Sequence, residues 1–159
     1  MRRLKKLLVL LASHLAAAVA GFGAGIYALP ILIAPPSPEG ARLSAAVDGA
    51  RYAGRFRRDL QDSDPLHWGE GEVYVGREMI VLQGAIAPGP DYKLYLAPAF
   101  VETEADFRRL RPAMARVGDV ETFENFLVPV PGTVDIEAYN TVIVWCEAFG
   151  QFITAARYR

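Results

Sequence analysis

An all-β domain behind a single membrane helix is the architecture this sequence predicts, and three observations carry the prediction. Leu7 to Ile33 is an uncharged run of 27 residues. Beyond it, short stretches alternate apolar and polar side chains and are separated by Gly, Pro and Asp. No strand-like stretch alternates regularly with a long helical one, which argues against a parallel sheet with crossover helices. The outer part is therefore expected to be an antiparallel β-sandwich or flattened barrel of about seven to eight strands with a short helical insertion.

Residues 1–6 contain Arg2, Arg3, Lys5 and Lys6, and no further charge appears until Glu39. The run 7–33 exceeds the roughly 20 residues needed to cross a bilayer. The basic residues before it place the N-terminus in the cytoplasm and the rest outside, in the periplasm if the cell is bacterial. "AVA" at Ala18–Ala20 satisfies the small-x-small pattern of a cleavable signal. Cleavage there would leave "GFGAGIYALPILIA" as an uncovered apolar terminus, so an uncleaved signal-anchor is the preferred reading. Tyr27 suits the interfacial zone, Pro30 is expected to end the helix, and 34–50 reads as a Pro-rich linker. Ala17, Gly21 and Gly25 fall at four-residue spacing, which suits a homodimer in the membrane. His14 lies two turns from the basic end and reads as solvated or snorkelling rather than as a ligand.

The outer domain, 51–159, supplies the strands. "RYAGRFR" (51–57), "GEVYVG" (71–76) and "KLYLA" (93–97) alternate, and "REMIVLQGAIA" (77–87) is more continuously apolar. "APGPDY" (87–92) is a hairpin or strand-to-strand corner: Pro88 and Pro90 fix φ, Gly89 tolerates positive φ, and Asp91 can bond downstream backbone. "ETEADFRRLRPAMARV" (102–117) is helical, with Thr103 as N-cap, Asp106 at the third position and Pro112 limiting it to about two turns. "ETFENFLVPVPG" (121–132) is a strand, "DIEAYN" (135–140) a single helical turn, and "TVIVWCEAFGQFITAARY" (141–158) two strands bent near Gly150.

The outer part has a formal charge of about −5, which is no nucleic-acid footprint. A phosphate loop, a nucleophile elbow and a Cys-x-x-Cys pair are all missing, so a hydrolase or transferase is not indicated. One cysteine outside the cytoplasm makes no internal disulfide, so Cys146 is free, ligated or joined to another molecule. It shares strand parity with Val142 and Val144, a pattern that core packing explains, while Ile143, Trp145 and Glu147 take the other face. His67, beside Trp68, reads as a hydrogen-bonded structural residue or as a ligand or proton carrier. One Cys and one His are too few for a confident metal site, although both remain candidate ligands.

From Tyr52 to about Tyr158 the sequence resembles the DM-thirteen domain, an extracytoplasmic module associated with DOMON domains and with electron transfer, here in a membrane-anchored chain of bacterial type. The resemblance rests on Gly54 and Phe56 in "YAGRF", His67 and Gly71 in "HWGEG", and Gly89, Pro90 and Asp91 in "GPDYKLYL". Tyr139, Val142, Trp145, Cys146 and Phe149 in "YNTVIVWCEAF" complete it. "GDVETFENFLV" keeps Gly118 but departs from the family's Gly-rich stretch. The resemblance implies a redox role for Cys146, as a bare thiol or as a ligand to a group such as haem, or with no cofactor at all. Such a role would in turn need a nearby donor, His67, to set the thiol's protonation, aromatic side chains such as Trp145, with Tyr139 and Trp68 in support, to help carry or confine an electron, and an unidentified redox partner. The rival reading is a binding or envelope-interaction module in which Cys146 is a buried core residue.

Overall fold

A computed structural model describes residues 2–159. Helix α1, Arg2–Ile33, is continuous and includes Pro30. The expected stop at Pro30 is thus displaced by one turn. Proline removes a single N–H donor, and Ala34 N still donates to Pro30 O at 3.0 Å, so the helix closes beyond it. Residues 2–25 are all exposed, whereas Ile26, Pro30 and Ala34 are half-buried and form one stripe facing the rest of the molecule.

The segment expected as a Pro-rich linker contains a second helix, α2, Gly40–Asp48. Leu43 is buried, Ala46 and Val47 are half-buried, and this one-sided pattern is what docks the helix. Gly49 N closes its end by donating to Ala45 O at 3.2 Å.

Eight strands follow: β1 Tyr52–Phe56, β2 Gly69–Val75, β3 Met79–Ile86, β4 Tyr92–Ala97, β5 Ala115–Val120, β6 Glu124–Pro129, β7 Thr141–Cys146 and β8 Gln151–Arg157. They form two four-stranded antiparallel sheets, β1-β2-β3-β6 and β5-β4-β7-β8. No ladder joins the sheets, so the expected sandwich describes them and a closed barrel does not. At one edge the sheets approach closely, because a Cβ on Gly54 would lie 2.6 Å from Arg157 O.

Helix α3 is only Glu104–Leu110, capped as expected by Thr103, whose hydroxyl accepts from Asp106 N at 3.1 Å. Pro112 sits in the 3-10 turn Arg111–Ala113 that ends it, and β5 begins at Ala115, inside the stretch expected to be helical. The expected single turn in 135–140 is the 3-10 turn Ile136–Ala138.

The sheets enclose a core that includes Phe56, Val73, Leu82, Leu94, Val144 and Cys146. A second core lies on the outer face of the β5-β4-β7-β8 sheet, where Tyr95, Ile143, Trp145 and Phe152 pack under Phe107 of α3. Strand β7 is therefore buried on both faces, and its residues alternate between the two cores as their parity predicts. The segment 87–91 links β3 to β4 across the two sheets, making it a corner rather than a hairpin. Its positive φ belongs to Asp91 (55°), not Gly89. Gly89 is needed for a different reason: a Cβ there would strike the ring of Tyr92.

Candidate functional site

Cys146 is the last residue of β7, paired with Tyr92 at the start of β4 and Gln151 at the start of β8. It is 3% exposed, and its thiol donates to Pro90 O at 3.1 Å. Burial pushes the thiol pKa up. Backbone N–H groups of Phe149 and Ala148 favour the thiolate, but burial, reinforced by the negative charges of Asp91 and Glu147, outweighs them. The resting group is a protonated thiol, a poor nucleophile.

His67 belongs to a tight loop held by Asp64. One carboxylate oxygen accepts from Leu66 N at 2.7 Å and His67 N at 2.8 Å, and the other pairs with His67 Nδ1 at 2.8 Å. The carboxylate selects the tautomer with its proton on Nδ1, leaving Nε2 without a protein partner among the described residues. Burial raises the Asp64 pKa, but the hydrogen bonds from His67 and Leu66 outweigh it and hold the carboxyl below its ordinary range.

Both residues line one open cleft of about 430 Å³, together with Leu66, Gly89, Pro90 and Phe149. Gly23, Ile26 and Tyr27 of α1 complete the wall. The model of the Electron transfer DM13 family matches residues 59–158, the stretch that carries all of these β-domain residues. The chain belongs to the DM13 family. No curated protein and no solved structure matched it. Strand β1, with Gly54 and Phe56, precedes the matched stretch.

In this DM13 domain the remaining expected site residues lie apart from the cleft. Trp145 faces the other way from Cys146 and stacks on Phe107, with ring centroids 3.8 Å apart and planes within 5°. Its indole Nε1 is buried without a hydrogen-bond partner. Trp68 carries the Arg58 guanidinium 3.4 Å from its ring centroid and lines a neighbouring groove. Tyr139 follows the 3-10 turn before β7, at the far end of the strand from Cys146. Asp91 supports the corner: its carboxylate pairs with Lys93 Nζ at 2.6 Å and its carbonyl accepts from Glu147 N at 3.1 Å. Lys93 also pairs with Asp119 at 3.0 Å, and Lys93 and then Arg116 hold the Asp119 carboxyl below its ordinary range.

A haem held through a Cys146 thiolate does not fit this arrangement. The thiol is committed to Pro90, and burial with two nearby carboxylates opposes its ionisation. His67 does have the carboxylate-oriented geometry of a ligand, but among the described residues no group of three or more His, Cys, Asp and Glu could hold a metal ion. Sequence reasoning did not single out Leu66, Tyr92 or Gln151 as cleft residues. Tyr92 carried a signal, since it closes the "APGPDY" corner; a lone Leu in a polar loop carried none.

Proposed function

We propose that this DM13 domain exchanges electrons outside the cytoplasm while α1 holds it to a membrane, and that the Cys146 cleft is where the exchange occurs. Residues 1–6 then lie in the cytoplasm, 7–33 anchor the chain, and 51–159 form the extracytoplasmic domain. The observation that carries the reading is the convergence on one cleft of Cys146, His67 and the Gly89–Pro90 corner, which lie in separate parts of the chain. Because the thiol is protonated at rest, its one-electron oxidation releases a proton with the electron. The electron passes to an oxidised partner in the cleft, and His67 Nε2, oriented through Asp64, is the base that accepts the proton.

The burial of Cys146 also favours a second reading, in which the thiol is core and the domain only binds a partner. Maleimide labelling of the folded full-length protein separates the two. Under the redox reading, a one-electron oxidant yields a thiyl radical that a nitrone spin trap captures at Cys146, so the thiol titre measured after unfolding falls, and His67→Ala slows the loss several-fold. An unchanged titre in oxidised and reduced samples, with no labelling until unfolding, supports the binding module and refutes the redox site.

A further inference from the structure

Large apolar side chains that are exposed belong to α1 with two exceptions among the described residues: Leu66 at 59% and Phe149 at 54%. They come from different loops, one before β2 and the other between β7 and β8, yet both border the Cys146 cleft. The same cleft is walled by Gly23, Ile26 and Tyr27, the stretch where α1 first meets the β domain. No Asp, Glu, Lys or Arg lines it.

The length of α1 sets the depth of this rim. Leu7 to Gly25 is the part of the uncharged run that precedes the half-buried stripe, and its 19 residues rise about 28 Å. That matches a hydrocarbon core of roughly 30 Å. If residues from Leu7 onward fill the core, Gly23 to Tyr27 lie at its outer boundary, and side chains sharing a cleft with them lie at the same level. Aromatic and aliphatic groups are stable there, whereas a rim bearing full charges would have to be desolvated.

We propose that the rim of the Cys146 cleft is seated in the outer face of the bilayer that α1 crosses, with Leu66 and Phe149 in the interfacial zone. The cleft then opens onto lipid, and the molecule it takes is an amphiphile dissolved in the membrane rather than a solute from the aqueous phase. The inference rests on the reading of α1 as a spanning anchor.

The test uses the full chain in vesicles whose phospholipids carry bromines both high on the acyl chains and near their ends. Tryptophan is introduced in separate variants at Leu66, Phe149, Leu15 and Arg77, and the emission of the unsubstituted chain is subtracted from each. Leu66 and Phe149 are exposed, so their replacement leaves the fold intact, and Arg77 is exposed in the β2–β3 turn at the opposite end of the sandwich. The bromolipid is expected to quench Leu66→Trp and Phe149→Trp at least twofold more than Arg77→Trp, while aqueous acrylamide shows the reverse order. Quenching at Leu15→Trp with none at 66 and 149 overturns the seating and leaves the anchor standing. Absence of quenching at Leu15→Trp overturns the anchor, and the seating with it.

Discussion

Replacing Cys146 by Ser asks what keeps the thiol where it is. Sγ is buried in the inter-sheet core and hydrogen-bonded to Pro90 O. Carrying a hydroxyl into that position costs roughly 1–3 kcal/mol in desolvation. A hydrogen bond to the same carbonyl returns about 0.5–1.5 kcal/mol. The net loss is about 1 kcal/mol, or about 4 °C in Tm for a domain of this size. The substitution also removes a titration. A buried thiol whose folded pKa is raised contributes stability that is complete below the unfolded value of about 8.5 and is lost as pH rises through the folded value. Wild-type stability should therefore fall above about pH 8.5, by at most about 1.4 kcal/mol per pH unit, while the Ser variant stays flat. Tyr92 and Tyr158, whose pKa values burial also raises, add a decline at higher pH in both proteins, so the comparison is made below about pH 10. Denaturant unfolding of the full chain in micelles, followed by tryptophan emission from pH 7 to 10, measures both effects. Parallel pH curves for the two proteins would refute the buried, protonated thiol.

Three further perturbations probe other parts of the structure. Gly89→Ala places a Cβ against the Tyr92 ring and should lower stability by about 1–3 kcal/mol, whereas Gly132→Ala, which meets nothing within 4 Å, should be near neutral in the same melting experiment. Phe107→Ala removes a fully buried ring stacked on Trp145, so a loss of about 3–5 kcal/mol is expected with a red shift of tryptophan emission. Ala17, Gly21 and Gly25 each lie nine residues before Ile26, Pro30 and Ala34, which puts the small residues on the face of α1 opposite the β domain. If they pair two helices, Gly21→Ile should reduce cross-linked dimer in membranes several-fold, and Val19→Ile, on the domain side, should leave it unchanged.

Much of the β architecture was legible because one-sided or two-sided burial leaves a period in the sequence. The alternation of β7 places Cys146 with Val142 and Val144 and Trp145 with Ile143, and the two cores divide along that parity. Thr103 and Pro112 likewise mark the ends of α3 through local chemistry that needs no partner. β5 was missed because its residues follow a capped amphipathic turn, and Met114 continues the helical spacing of Phe107 and Leu110 past the proline. What distinguishes it is pairing to β4, with a register shift between Leu94 and Tyr95, which no local pattern records. α2 was missed for the converse reason, since the prolines before it dominate the composition while only Leu43 is fully buried.

Legibility fails most at the site, because neighbours in sequence become opposites in space. Trp145 adjoins Cys146 in the chain yet packs on the far side of the sheet, and Trp68 adjoins His67 yet turns to Arg58. Leu66 and Phe149 look like stray apolar residues in polar loops, and only the fold gives them a common rim. For the lone cysteine, burial in the core and a place at a cleft wall are not exclusive. Being the terminal residue of β7, Cys146 has its side chain in the inter-sheet core and also at the wall of an open cleft. The Pro90 carbonyl that shields the thiol belongs to the corner between the sheets. A small shift of that corner would expose Sγ without unpacking the sandwich. Gly89→Ala, which crowds Tyr92 within the same corner, should therefore raise the thiol's alkylation rate by more than its loss of global stability accounts for. An alkylation rate that tracked global unfolding alone would show that the thiol is reached only when the core opens.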